Sequence, residues 1–174
     1  MAGDDAMLQV FKPDGGVPNS ELPLVFWRGG LPGSARSGSA ATALYRNNGW
    51  QGTWVYTVYP FWHFHTRGHE VLACVSGGAR IGFGGDHGIK VDVAVGDVCV
   101  IPAGVGHRKF DASSDFQMAG GYPPGQQGNI VKPGEMQDDR IAREIAALAL
   151  PETDPISGRP DGVVEIWREA SSSS

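Results

Sequence analysis

Three imidazoles and one carboxylate stand at spacings that one metal ion can use. Between Phe61 and Gly77 the chain reads Phe-Trp-His-Phe-His-Thr-Arg-Gly-His-Glu-Val-Leu-Ala-Cys-Val-Ser-Gly, and from Gly96 to His107 it reads Gly-Asp-Val-Cys-Val-Ile-Pro-Ala-Gly-Val-Gly-His. His63, His65, Glu70 and His107 would together hold one divalent first-row metal and leave one or two coordination positions open, the layout of a catalytic rather than a closed structural site. The donor set suits iron, manganese, nickel, copper or zinc and does not choose among them.

These residues need elements that bring them together. Side chains alternate faces along a strand, so His63 and His65 face one way, with Phe61 beside them and Trp62 and Phe64 on the opposite side. Glu70 is at an odd offset from His65, so a turn must intervene. Thr66-Arg67-Gly68 supplies it if Gly68 takes a positive φ. His107 then comes from a third strand, fed through a tight loop over Pro102-Ala-Gly104-Val-Gly106. Short runs broken by glycine or proline extend over residues 53–59, 61–65, 70–75, 79–83, 89–95, 98–101, 107–111 and 116–120. Ile89, Val91, Val93 and Val95 alternate with Lys90, Asp92 and Ala94 as a half-buried strand does, and Gly84 to Gly88 reads as a hairpin loop. This pattern predicts an all-β fold, a double-sheet jelly roll closed into a small barrel.

The two segments resemble the paired motifs of the cupin superfamily. His-x-His-x4-Glu-x6-Gly is matched by His63, His65, Glu70 and Gly77, and Gly-x5-Pro-x-Gly-x2-His by Gly96, Pro102, Gly104 and His107. Two positions depart from the pattern: Thr57 stands where a glycine usually opens the first motif, and Asp111 where an asparagine usually closes the second. Neither is a ligand in the family. Stretches at 17–23, 83–88 and 120–126 are similar to a bacterial subgroup, the YjlB-like cupins, for which no substrate is known. The resemblance implies an RmlC-like double-stranded β-helix with a short C-terminal helix, and a ligand set of His63, His65, Glu70 and His107. It is compatible with dioxygenases, isomerases, decarboxylases and non-catalytic ligand binders.

A chain of 174 residues is expected to form a single domain over 1–174, with one core that buries roughly two thirds of the unfolded chain's surface. The barrel is placed at about 50–121, N-terminal strands in 1–49, a C-terminal helix and strand within 138–167, and a disordered tail at 171–174. The 26 glycines and 12 prolines fall between apolar runs as punctuation. A formal charge of −5, with no clustered Lys/Arg footprint, argues against nucleic acid. The N-terminus, Met-Ala-Gly-Asp-Asp-Ala-Met, lacks the basic and apolar regions of a signal peptide, and no run is long enough to span a bilayer. The expectation is a cytoplasmic protein whose partner is a small-molecule ligand or substrate. Cys74 and Cys99 lie in apolar runs and read as buried free thiols.

The remaining features read as structural. His69 should turn away from the ligands, His87 should be exposed in its glycine loop, and Asp97 should serve a turn. Trp50, Trp54, Tyr56, Phe61, Trp62 and Phe64 either line a ligand cavity or fill the core. A short helix is expected over 40–46. A second is expected over 138–150, capped by Asp138 or Asp139 and stopped by Pro151. Leu22 to Trp27 is expected as an edge strand interrupted by Pro23, and Val163 to Trp167 as a last strand. These two runs would cover sheet edges in a homodimer. The functional expectation is a mononuclear metal enzyme acting on a small oxygen-rich metabolite, with dioxygenase-type oxidation preferred. The alternatives are a metal-dependent isomerase or decarboxylase, and a binding protein without catalysis.

Overall fold

The computed structural model describes residues 5–173. Met1 to Asp4, part of the N-terminal stretch read in the sequence, and Ser174, part of the expected tail, lie outside the described residues. The strands are β1 (Met7–Phe11), β2 (Ser20–Trp27), β3 (Gln51–Tyr56), β4 (Glu70–Ser76), β5 (Gly78–Phe83), β6 (Ile89–Ala94), β7 (Val98–Ile101), β8 (His107–Ala112) and β9 (Gln117–Tyr122). The helices are α1 (Gly38–Asn47), α2 (Asp138–Ala146) and α3 (Val163–Ser172). One sheet has the order β1-β2-β7-β4-β9-β3 and the other β6-β5-β8. All pairings between these strands are antiparallel. The two sheets face each other as a cupin-type jelly roll, with helices added at both ends of the sequence.

The central strands β4 and β7 of the larger sheet are buried on both faces, which is why β4 reads as an unbroken apolar run after Glu70. Val71, Ala73 and Val75 point outward under α1 and α3, into a cluster that includes Tyr45, Val163, Val164 and Trp167. Leu72 and Cys74 point inward and meet Ile81, Phe83, Val91 and Val93 of the smaller sheet. The expected single core is therefore divided between the two faces, and a small third cluster joins Phe64, Val131 and Ile141. The smaller sheet has one solvent face, and β6 alternates as expected as far as Ala94: Val91 and Val93 are buried while Lys90, Asp92 and Ala94 are exposed, whereas Val95, expected on the buried face, lies beyond the strand and is exposed. Cys74 and Cys99 are both free and buried.

Three expectations about the ends are corrected. Val163 to Trp167 forms the start of a helix rather than a strand, because Val163, Val164 and Trp167 recur at helical spacing and all three are buried. Leu22 to Trp27 is not an edge. The register of β2 runs Val25 to Trp27 against β7, and β1 covers its other side. Pro23 falls where the β1–β2 register shifts between Leu24 and Ser20, so its missing N–H interrupts no regular pair. Ser171 and Ser172 complete α3 and Ser173 caps it, so a disordered tail is not found there. Both runs expected to cover sheet edges in a dimer are thus covered within the chain, and the edges left are those of β1, β3, β6 and β8.

The helices match the expectations more closely. α1 is one to two residues longer at each end than expected, and its N-terminus is capped by Ser37 Oγ accepting from the Ala40 amide at 3.2 Å. α2 begins at Asp138 as expected, but its N-cap is Gln137 and no side chain caps it. Asp138 and Asp139 occupy the first turn, where the helix dipole favours them. The helix ends at Ala146, ahead of Pro151, because Leu148 N bonds back to Ile145 O in a tightened last turn. Among the described residues no helix is long and apolar enough to cross a membrane.

Trp167 ties α3 to the larger sheet. Its side chain is fully buried, its indole N–H donates to the Pro23 carbonyl at 2.9 Å, and its ring lies 4.8 Å from that of His69. Trp167→Ala is expected to lower the free energy of unfolding by about 3–5 kcal/mol, read from the urea midpoint. A loss below about 1 kcal/mol would contradict this packing.

Candidate metal centre

His63 and His65 do not sit in a regular strand, contrary to the expected run over 61–65. Three different neighbours hold their backbone. His63 exchanges hydrogen bonds with His107 at 3.2 and 2.9 Å, Phe64 exchanges them with Val131 at 2.9 and 3.0 Å, and the His65 carbonyl accepts from Gly104 N at 2.8 Å. The alternation survives without a ladder: His63 and His65 turn inward, while Phe64 is buried on the other side beneath α2. Trp62 also points away, packing edge-on to Phe110 and donating to Asp86 Oδ1 at 2.8 Å. The cover over Phe64 comes from this chain's own helix, not from a second sheet or a partner.

The turn between His65 and Glu70 forms where expected, but not through a left-handed glycine, since Gly68 does not have a positive φ. Its need for glycine is steric: a Cβ there would come within 2.5 Å of the Gln127 carbonyl oxygen. Gly104 does take a positive φ of 94°, in the loop that carries the chain from β7 in one sheet to His107 at the start of β8 in the other.

Ring nitrogens of His63, His65 and His107 all lie within 4.8 Å of one another, and all three side chains are buried. Each ring has its Nδ1 on a backbone carbonyl: His63 on Phe61 O at 3.0 Å, His65 on Asn129 O at 2.6 Å, His107 on Val105 O at 3.1 Å. A carbonyl only accepts, so each Nδ1 carries the proton and, in the neutral ring, each Nε2 presents a lone pair. Fixing ligand tautomers by hydrogen bonds behind the ring is what metal-binding histidines require. The buried His65 Nε2 has no hydrogen-bond partner. These observations fit a metal ion held by three imidazoles.

Glu70 lies beside this triad rather than in it. Its Oε1 is 3.2 Å from His65 Nε2 and 3.4 Å from His107 Nε2, and it is not among the donors that all lie within 4.8 Å of one another. Its Oε2 accepts from the Tyr122 hydroxyl at 2.9 Å, and that hydroxyl accepts from Trp54 Nε1 at 2.8 Å.

Burial disfavours charge at His63, His65 and Glu70, and at the last two the neighbours outweigh it. Burial and the His107 ring press His63 down to about 3. Burial also works against His65, but the adjacent Glu70 carboxylate outweighs it and the net shift is upward. For Glu70, burial is overcome by His65 and His107, which hold its carboxyl well below the ordinary range. A metal entering the site therefore displaces any proton carried by His65 Nε2, which lies 3.2 Å from Glu70 Oε1. Tyr122 is pushed well up by burial and by Glu70, so it stays protonated as a donor.

The triad and Glu70 form the floor of a cavity of about 340 Å³, walled by Trp54, Val58, Leu72 and Tyr122, with Tyr56, Tyr59 and Ile130 toward its mouth. Of the aromatic residues singled out in the sequence, Trp54 and Tyr56 line it, while Trp50 fills the outer core and Phe61 stacks on Tyr59. His69 turns to the opposite face as expected. Its Nδ1 accepts from Ala103 N at 2.9 Å, its ring packs on Trp167, and burial lowers it to about 4. His87 is exposed and pairs with Asp14 at 3.1 Å, and Asp97 accepts the amides of Gly29 and Ala94 in its turn.

Sequence reasoning missed Asn129. Its carbonyl orients His65, its Oδ1 accepts from the amides of Thr66 and Arg67 at 3.0 Å each, and its Nδ2 donates to Thr66 Oγ1 at 2.8 Å. Thr66 Oγ1 in turn donates to Glu144 Oε2 of α2 at 2.5 Å, so the helix read as packing alone also braces the site. Asn129→Ala should leave the fold intact and weaken metal affinity by about 10–100-fold, measured by competition with a chromophoric chelator. Unchanged affinity would show that this support is dispensable.

No protein-family model matches the chain. Two solved structures share part of its architecture. A variant of oxalate decarboxylase from Bacillus subtilis is 16% identical over 87% of this chain and 37% of its own, with a TM-score of 0.40. YcfD, a ribosomal oxygenase from Escherichia coli in complex with cobalt and succinic acid, is 15% identical over 88% of this chain and 47% of its own, also at 0.40. The chain spans less than half of either protein, and a likeness this slight carries nothing about function. A curated relative is much nearer: the uncharacterized protein YjlB of Bacillus subtilis is 38% identical over 160 residues, 90% of this chain and 93% of its own. The chain belongs to the family of YjlB, which the two motifs and the facing antiparallel sheets mark as cupins.

Proposed function

We propose that this protein is a mononuclear metal-dependent enzyme that binds a small metabolite in the cavity above His63, His65, Glu70 and His107, with oxidation of dioxygenase type as its reaction. The observation that carries the reading is the triad of buried imidazoles with fixed tautomers at the floor of a small-molecule cavity. A divalent first-row metal bound there would supply Lewis acidity, and redox chemistry if it is iron, manganese or copper.

The cavity walls favour oxidation over the isomerase alternative. Apart from the four candidate ligands, its titratable side chains are Tyr56, Tyr59 and Tyr122. Tyr122 is held protonated between Glu70 and Trp54. Among the described residues the cavity lining, apart from the candidate ligands, therefore offers no carboxylate, imidazole or amine to move a proton on a substrate, as isomerisation needs. The same lack of a base favours a second reading, a binding protein without turnover.

Turnover on a metabolite panel separates the two: an enzyme yields product that chelation abolishes, whereas a binder gains thermal stability from a ligand with no product. The proposal includes a homodimer joined along the free edge of β1, where Met7, Leu8 and Val10 are exposed. A cytoplasmic location belongs to the same proposal and rests on the sequence alone.

A further inference from the structure

A second concavity shares no lining residue with the cavity above the imidazoles. It is a groove of about 910 Å³ between the loop from Pro13 to Ser20, one face of α2 and the last turn of α3, at the large end of small-molecule pockets, about 300–1,000 Å³. Its apolar walls include Val17, Leu22, Ile141, Ile145, Leu148 and Leu150.

His69 lines this groove and is 2% exposed. Its Nδ1 accepts from the Ala103 amide at 2.9 Å, so in the neutral ring the proton sits on Nε2, and that buried nitrogen has no hydrogen-bond partner. A buried donor without an acceptor is rare and costly. An occupant with an oxygen facing His69 would supply the missing acceptor.

The charged lining is of one sign. Asp14, Glu21 and Asp138 line the groove, and no lysine or arginine among the described residues does. Asp14 is paired with His87 at 3.1 Å, whereas Glu21 and Asp138 are exposed and stand in no ion pair among the described residues. Two arginines of α2 are taken by other partners, Arg140 by Glu144 and Arg143 by Asp139. The last turn of α3, at Ala170, adds the negative end of a helix dipole. A carboxylate, or a second copy of this chain with its formal charge of −5, would meet repulsion here, and a cation attraction.

The geometry points to a second ligand site in this groove, for a cationic amphiphile: an apolar body against α2 and the loop, an oxygen acceptor toward His69, and a positively charged nitrogen toward Glu21 and Asp138. The site uses none of the candidate metal ligands and stands apart from the metal reading.

Octanoylcholine, which carries an acyl oxygen and a quaternary ammonium, is titrated calorimetrically into the full chain at low salt, with octanoate and octan-1-ol as anionic and neutral comparisons. The expected result is saturable binding of octanoylcholine, about tenfold tighter than octanoate, because the rim carboxylates attract one and repel the other. The gap should narrow as salt is raised, and the His69 ring N–H resonance should shift on binding. Glu21→Lys and Asp138→Lys, both at exposed positions, should each narrow the gap. Ala146→Trp, at an exposed position of α2, should fill the groove and abolish octanoylcholine binding with the urea midpoint unchanged. Octanoate bound as tightly as octanoylcholine, binding that survives Ala146→Trp, or a His69 resonance unmoved at saturation would overturn the site. So would a dimer that Ala146→Trp converts to monomer while octanoylcholine fails to bind, which would give the groove to a second copy.

Discussion

Replacing His63 and His65 together with alanine should abolish metal binding. The two rings supply two of the three donors that come within 4.8 Å of one another, and each is oriented by its own backbone carbonyl, Phe61 O and Asn129 O. His107 and Glu70, left alone, form a two-donor site of the kind that fails to hold a first-row ion against water and buffer. The fold should survive. Deleting two buried rings costs packing, but His107 and the Tyr122 hydroxyl still face the Glu70 carboxylate. Elemental analysis of the purified variant should read zero where the parent reads one metal per chain, with circular dichroism unchanged. Full metal content in the double variant would place the ion elsewhere.

Glu70→Gln should weaken metal binding by at least about tenfold and reduce turnover in proportion. One carboxylate among three neutral imidazoles brings the net charge of a divalent site to +1, and the amide restores +2 while keeping the shape. Its loss also removes the partner that raises His65, which eases proton competition. Attraction to a divalent ion is twice that to a proton at the same separation, so the loss of metal affinity prevails. The hydrogen bond from Tyr122 can pass to the amide oxygen, so the Tyr122–Trp54 contact should persist. Metal affinity by chelator competition and turnover at full occupancy are the two readouts. If neither moves, Glu70 has no part in the site.

How much of this was legible in the chain depends on distance along it. His63, His65, Glu70 and His107 could be grouped because strand parity and glycine placement act locally, and the structure brings the three imidazoles together with Glu70 alongside. The reason for the turn was misread at Gly68, because a close approach to Gln127 is a contact between segments 59 residues apart and leaves no local trace. Asn129 was invisible for the same reason: long-range contacts such as the Phe64–Val131 bridge set it behind His65. The run Val-Val-Glu-Ile-Trp at 163–167 is rich in β-branched and aromatic residues, and its strand propensity gave way to packing, since a helix buries Val163, Val164 and Trp167 on one face against β2. Thr57, where the family pattern has glycine, lines the cavity and takes the Lys109 ammonium.

The central claim is that one metal ion sits among the three Nε2 atoms with Glu70 beside it. Anomalous diffraction from crystals of the protein purified without chelators, collected on both sides of the absorption edge of the metal found by elemental analysis, tests it most directly. The account predicts a single strong anomalous peak per chain, enclosed by His63, His65 and His107 and adjoining Glu70 Oε1. A peak anywhere else, or none at this site in crystals grown with excess manganese or iron, would contradict it.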